Sequence, residues 1–256
     1  MAAKHQHSSY VKSSKELALM RTSGKILHEI LLQLVERVAV GVTPLEIDIL
    51  AAELCKKRQV TPSFLGYHGY PAISCICVND EVVHGIPGDR PFEDGDVVTI
   101  DMGVVWQGYH SDSARTVYVG DIEKNPEVKK FLTAGAEALA IAQRLMGPGK
   151  RLGDIGEAIE TFVEDVSGYF IIRELSGHGI GTKLHEEPYV MNYGTAGTGL
   201  TILPGMAFAL EPIVAMKRTT ISTRPDGWTI VSRDGVLSCQ FENTVIVTEQ
   251  GCDIVT

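Results

Sequence analysis

Long hydrophobic runs are missing from this sequence. No stretch of about 18 apolar residues occurs among the 256, so no membrane-spanning helix is expected. The first residues, MAAKHQHSSYVKSSKE, lack the apolar stretch of a secretory signal. Basic blocks are missing too. Lys and Arg total 23 against 32 Asp and Glu, a formal charge of -9. That balance argues against a broad positive face for nucleic acid. Cysteine is scarce and irregular: Cys55, Cys75, Cys77, Cys239 and Cys252 form neither a CxxC pair nor clusters at zinc-finger spacing. The five read as reduced thiols of a cytoplasmic protein, which excludes a disulfide scaffold and a structural zinc module. What is present is ordinary: 44% hydrophobic and 21% charged residues. A chain of this size can bury a real core, and disorder would need fewer apolar residues.

Residues 1–12 are expected to form a flexible tail, followed by one catalytic domain over 13–256. Ser13-Ser14-Lys15-Glu16 is a capping box, in which hydroxyl and carboxylate each satisfy a free N–H. Leu17, Met20, Ile26, Leu27, Ile30, Leu31, Leu34 and Val38 follow at helical spacing. This helix is expected to stop near Gly41. Thr43-Pro44-Leu45-Glu46 opens a second helix, to about Arg58. Residues 72–119 read as strands and turns. The pattern then restarts. Asn125-Pro126 opens a long helix to about Met146, and Asp154 with Glu157 opens a shorter one. Strand-like segments MAFALEP, WTIVS and SCQFENTVIVT follow. An offset of about 110 residues brings His68-Gly69 onto His178-Gly179 and Asp101 onto Glu211; Gly41 falls on Gly149 at nearly the same offset. The halves read as a duplicated helix–helix–sheet unit with a ligand site at the junction.

The chemistry gathers in VVTIDMGVVWQGYHSDSARTVYVG. A hairpin turning at Trp106-Gln107 would set Asp101 opposite Asp112, about 5 Å apart at the β-carbons. Two such carboxylates repel and are costly to desolvate. Either they sit on a solvated edge or a cation lies between them. Glu211 ends an apolar run, held extended by Pro212. Glu242 falls inside the apolar closing strand, where an unpaired carboxylate is out of place. His178 stands between glycines that allow close approach to a ligand, His185 follows seven residues later, and His84 occupies a similar Gly/Pro loop. Four carboxylates with imidazole make a hard, oxygen-rich donor set. It suits Mn(II), Fe(II) or Co(II), as two ions sharing carboxylates, better than structural zinc. A paired site of this kind can generate a bridging hydroxide and polarise a carbonyl.

The ordered motifs GYHGYPAISCICVNDEVVHGIPG, DMGVVWQGYHSDSARTV, SGHGIGTKLHEEPYV, GMAFALEP and SCQFENTVIVT resemble those of the bacterial type I methionine aminopeptidases. The resemblance runs from about residue 13 to the end. It implies the two-fold repeated α/β "pita-bread" fold and excision of initiator methionine before a small second residue. By motif, the implied metal ligands are Asp101, Asp112, His178, Glu211 and Glu242. Asp112 and Glu242 would bridge two divalent ions (Co, Mn or Fe(II), with Zn also able to fit). Asp101 would serve one ion, and His178 with Glu211 the other. Glu211 resembles the general base. His84 resembles the histidine near the scissile amide nitrogen, and His185 the one that steadies the oxyanion. Phe64, Tyr67, Tyr70, Cys75, Leu184 and Trp228 resemble the methionine pocket. Phe64 and Leu184 differ from the cysteine and phenylalanine of some relatives. His68 matches a motif histidine and is given no ligand role. The implied partners are nascent polypeptide N-termini at the ribosome, met by a cytoplasmic monomer. Two rivals share the fold: proline-directed aminopeptidases and prolidases, which commonly carry a large N-terminal domain, and binding proteins that have lost ligands. The first motif helix opens near residue 13, so no such extra domain is expected, and all five ligand positions are filled.

Overall fold

A computed structural model describes residues 10–256. Two helix pairs each back a β-sheet system. Helix α1 (Ser14–Arg37) starts at Ser13, whose hydroxyl accepts from Glu16 N–H while Glu16 accepts from Ser13 N–H. Its buried stripe includes Met20, Leu27, Ile30, Leu31 and Leu34. Fully burying each such side chain is worth about 1.5–3 kcal/mol. Helix α2 (Pro44–Arg58) carries the expected Thr43/Glu46 capping box and proline in its first turn. In the second half come α3 (Pro126–Leu145) and α4 (Leu152–Glu160), the latter running on into a π-helical turn over Thr161–Val166. Asp154 does not open α4 as expected. It lies at the third helical position, where its carboxylate accepts from the Arg151 N–H at 2.7 Å. The glycines preceding α2 and α4, Gly41 and Gly149, both have positive φ, 85° and 82°.

The strands are β1 (Thr61–Pro62), β2 (Cys75–Val78), β3 (Glu81–Val83), β4 (Val97–Trp106), β5 (Tyr109–Tyr118), β6 (Phe170–Ile171), β7 (Ser176–Gly179), β8 (Glu186–Met191), β9 (Ala207–Leu210), β10 (Ile213–Ala215), β11 (Ile221–Thr223), β12 (Ile230–Ser232), β13 (Ser238–Gln240), β14 (Asn243–Val247) and β15 (Cys252–Ile254). In the first half β1 and β2 lie along β4, which also pairs with β5. The second half holds a five-stranded sheet, β15-β14-β9-β7-β8, and a three-stranded sheet, β13-β10-β6. A small third sheet, β11-β12-β3, joins residues of both halves.

The two largest hydrophobic clusters lie one in each half, with smaller ones between them. Leu27, Ile30, Ile47, Ile100 and Met102 anchor the first; Phe131, Ile155, Phe208 and Val245 anchor the second. Strand β5 and the β13–β14 run tie the halves together. Glu242 N–H donates to Ala114 O at 3.0 Å, and Thr244 Oγ1 donates to Asp112 O at 2.9 Å.

The expected tail is partly corrected. Residues 1–9 lie outside the described residues, but 10–12 are docked. Lys12 N–H donates to Gly205 O at 2.9 Å. Lys12 Nζ pairs with Glu186 at 3.2 Å, and Tyr10 packs on the second core.

Candidate metal centre and substrate cavity

Asp101 and Asp112 come from the β4–β5 hairpin, but not as directly opposed residues. The turn is Gln107-Gly108, with φ of 48° and 84°, the left-handed pair a tight two-residue hairpin loop requires. Asp101 therefore faces Ala114, and Asp112 faces Gly103. Moving the turn by one residue moves each partner by two, and side chains alternate with period two. The two aspartates remain on one face as diagonal neighbours, close enough for their carboxyls to interact.

Glu211 and Glu242 occupy breaks. Glu211-Pro212 separates β9 from β10, and Phe241-Glu242 separates β13 from β14. At both breaks the chain passes between the five-stranded and three-stranded sheets. Glu242 is thus not inside a closing strand, as expected, but at a joint ahead of β14 and β15. His178 lies in β7 rather than in a loop. Its flanking glycines make room for strands rather than for a ligand. A Cβ at Gly177 would lie 2.5 Å from Ala209 O, and one at Gly179 2.6 Å from Glu187 O.

These side chains converge. One ligand atom each from Asp112, His178 and Glu242 lie within 4.8 Å of one another. Glu211 Oε1 is 3.6 Å from His178 Nε2. Gln240 Nε2 donates to both Glu211 Oε2 and Glu242 Oε2 at 3.3 Å. Cys75 sits across from Asp101 in the β2–β4 ladder.

Burial pushes all four carboxyls upward, Asp101 to about 7 and Asp112, Glu211 and Glu242 well above the usual range. Repulsion from neighbouring carboxylates adds to it at Asp112, Glu211 and Glu242, whereas at Asp101 hydrogen bonds with Gln240 and Asp112 work against it. For Glu242, Arg115 works in the opposite direction, with its guanidinium donating to Glu242 O at 2.6 Å. Burial lowers His178 to about 3 and His185 to about 4, with neighbouring imidazoles adding to both shifts. Asp101 Oδ1 and Glu242 Oε1 are buried with no hydrogen-bond partner among the described residues. Buried polar atoms are rarely left so. A divalent cation would satisfy both oxygens and reverse the sign of the repulsion. Oxygen donors with one imidazole fit such a cation.

Asp101, Asp112, His178, Glu211, Glu242 and Gln240 line a cavity of about 490 Å³. Its wall also includes Phe64, Tyr67, Tyr70, Cys75, Leu184, Trp228, His84 and His185, and His68 as well. Tyr70 and Trp228 meet edge to face at 5.2 Å. The Tyr70 hydroxyl donates to Gly85 O at 2.8 Å. Asp48 of α2 accepts from the N–H groups of Ile73 and Ser74 and from the Ser74 hydroxyl, setting the entry to β2. His84 has φ 59°, an uncommon conformation for a residue with a side chain and frequent at functional sites. Gly85 beside it packs so closely that a Cβ would meet Ile76 O at 2.4 Å. Sequence reasoning missed Gln240, Tyr189 and Glu174, which also line the cavity. Gln240 had a signal: a polar side chain in an apolar run, two residues before Glu242.

The fold and this donor cluster define a metallopeptidase. Residues 18–249 match metallopeptidase family M24, and the chain belongs to that family. Within it, the chain is 43% identical over 246 residues to a methionine aminopeptidase of Clostridium perfringens, covering 96% of this chain and 98% of that protein. It is 38% identical over 250 residues to the methionine aminopeptidase of Escherichia coli K12, covering 96% and 93%. The crystal structure of methionine aminopeptidase from Thermotoga maritima superposes with a TM-score of 0.93 at 38% identity, covering 96% of this chain and 98% of that one. A prolidase from Pyrococcus horikoshii shares the fold alone: TM-score 0.76, 23% identity, 96% of this chain but 63% of the prolidase. The pita-bread architecture expected from the motifs is the architecture found.

Proposed function

We propose that the chain is a metal-dependent aminopeptidase that removes the N-terminal methionine of polypeptides whose second residue is small. One observation carries the reading. Three buried carboxylates, the half-buried Glu211 and an imidazole, two of the carboxylates with an unpartnered oxygen, meet in an aromatic-walled cavity of a chain related over nearly its whole length to methionine aminopeptidases.

Asp112 and Glu242 would bridge two divalent ions, Asp101 serving one and His178 with Glu211 the other. Mn(II), Fe(II) or Co(II) suit the oxygen-rich set, and Zn(II) also fits. Such ions supply a lowered water pKa and a polarised scissile carbonyl. The chain's own residues do the rest. Phe64, Tyr67, Tyr70, Cys75, Leu184 and Trp228 enclose the methionine side chain, whose unbranched thioether adapts to an aromatic wall. The acidic cluster attracts the substrate ammonium. Glu211 accepts the proton of the attacking water. His185 donates to the oxygen that gains negative charge, and His84 contacts the substrate near the leaving amide nitrogen.

The partners proposed are nascent polypeptides emerging from the ribosome, met in the cytoplasm by a monomer. The free cysteines, four of them buried, suit a reducing compartment. Rates on Met-Gly-Ser, Met-Ala-Ser, Met-Leu-Ser and Ala-Pro-Ser peptides test the reading. Rapid methionine release from the first two and slow release from the third are expected. Preferred cleavage of Ala-Pro-Ser would move the chain to the proline-directed reading. Equal rates on Met-Ala-Ser and Met-Leu-Ser would remove the specificity.

A further inference from the structure

Two histidines of the SGHGIGTKLH segment stand side by side, their ring centroids 4.3 Å apart, yet their Nδ1 atoms face different partners, a carbonyl and a hydroxyl. His178 Nδ1 is 2.9 Å from Gly179 O. A carbonyl only accepts, so this nitrogen carries the hydrogen and Nε2 keeps its lone pair, on the side where Glu211 lies 3.6 Å away. His185 Nδ1 is 2.8 Å from the Tyr67 hydroxyl. No other acceptor engages that hydroxyl among the described residues. A phenol that donates to Nδ1 leaves the single hydrogen of a neutral imidazole on Nε2.

We infer that Tyr67 is a positioning residue whose hydroxyl donates to His185 Nδ1 and fixes that imidazole as the Nε2–H tautomer. The neighbouring rings then present unlike edges to the cavity: a lone pair from His178 and an N–H from His185. The first is what a cation needs and the second is what a developing oxyanion needs. The reverse tautomer of His185 would aim a lone pair at the same charge.

The segment around Tyr67 is built to hold it still. Tyr67 N–H donates to Phe64 O at 2.9 Å, Tyr70 N–H to Tyr67 O at 2.9 Å, and Gly66 N–H to Tyr70 O at 2.8 Å. Gly66 has φ 80°, which lets the chain fold back on itself there. The Tyr67 ring is braced edge-on by His68 at 4.4 Å and lies 5.3 Å from the His185 ring. A restrained donor costs less ordering when it engages its acceptor.

The kinetic half of the test rests on the proposed aminopeptidase activity, and the spectroscopic half does not. In Zn(II)-loaded protein with 15N-labelled histidine, His185 is assigned by comparison with His185→Ala. Its Nε2 should show a pyrrole-like shift and its Nδ1 a pyridine-like one, and Tyr67→Phe should blur that distinction. On Met-Ala-Ser, Tyr67→Phe keeps the ring in the methionine pocket and removes one hydrogen bond. It should lower kcat by about 3- to 10-fold while KM stays within about twofold. In the His185→Ala background the same substitution should have no further effect. A protonated Nδ1 on wild-type His185 overturns the proposal. So does a loss of the same size in both backgrounds. If no peptide releases methionine, the functional reading fails, and the nitrogen shifts still decide the tautomer.

Discussion

The two halves deliver their carboxylates by different means. Asp101 and Asp112 project from one unbroken ten-residue-by-ten-residue ladder. Glu211 and Glu242 project from the two joints at which the second half passes between sheets. On a regular ladder the pleat aims the side chains, so a short aspartate suffices. At a joint the pleat is lost, and the longer glutamate has the reach to recover the same centre. The first half is a rigid wall and the second a jointed one. The joint at Glu242 is held from the rigid side: by Ala114 through backbone hydrogen bonds, by Arg115 on the Glu242 carbonyl, and by Thr116, whose hydroxyl donates to Gln240 O at 2.7 Å.

The largest effects should ignore that difference. Asp112→Asn on the rigid wall and Glu242→Gln on the jointed wall each remove a shared charge. Each should lower methionine release by about 10³-fold or more, beyond the roughly 10- to 100-fold of losing an outer-shell partner. Bound metal, measured by elemental analysis, should fall in both. Next come His84→Ala and His185→Ala, which should keep metal and lose about 10²–10³ in kcat, the size of a lost donor to developing charge. Loss of metal in either variant would make that histidine a ligand.

Smaller effects should separate the walls. Arg115→Met loosens the joint, and metal affinity should drop about 10- to 100-fold. Gly108→Ala strains only the hairpin turn, at φ 84°. It should cost about 1 kcal/mol and leave metal affinity unchanged. An equal loss of affinity in both variants would erase the distinction between the walls.

Cation binding should also stabilise the fold in a pH-dependent way. The folded carboxyls hold protons that the unfolded chain releases above about 4, and Asp101 holds its proton to about 7. Through that window the metal-free protein loses carboxylate-derived stability as pH rises. The buried imidazoles, His178 near 3 and His185 near 4, act oppositely, costing stability as pH falls below about 6.5. A cation needs both kinds of group deprotonated. Mn(II) at a hundred times its pH 8 Kd should therefore raise Tm at pH 8 by about 5–10 °C, and the same concentration should raise it by less at pH 5.5. Calorimetry with and without metal reads this directly.

Much of this was legible in the residues. Helix starts followed from local capping chemistry, as at Ser13/Glu16 and Thr43/Glu46. Asp101 and Asp112 are not the opposed pair expected, but they stay on one face because an error of one turn residue preserves the face. The joints were not legible. SCQFENTVIVT reads as one strand because burial on both sides hides a change of sheet, and only the pairing of β13 with β10 and of β14 with β9 shows that Glu242 lies between two strands. The role of Gly177 and Gly179 was equally hidden, since the carbonyls they meet, of Ala209 and Glu187, belong to the flanking strands β9 and β8. The Tyr67–His185 contact joins residues more than a hundred positions apart, beyond any local pattern.

The central claim is that the two walls together hold the ions that make the chain a peptidase. Metal bound per chain, followed alongside methionine release while chelator-treated protein is titrated with Mn(II) or Co(II), tests it most directly. The account predicts that activity is absent without metal, rises with the first equivalents bound, and is not restored to Glu242→Gln at the concentrations that saturate the wild type. Full activity of the metal-free protein, or wild-type binding and rate in Glu242→Gln, would contradict it.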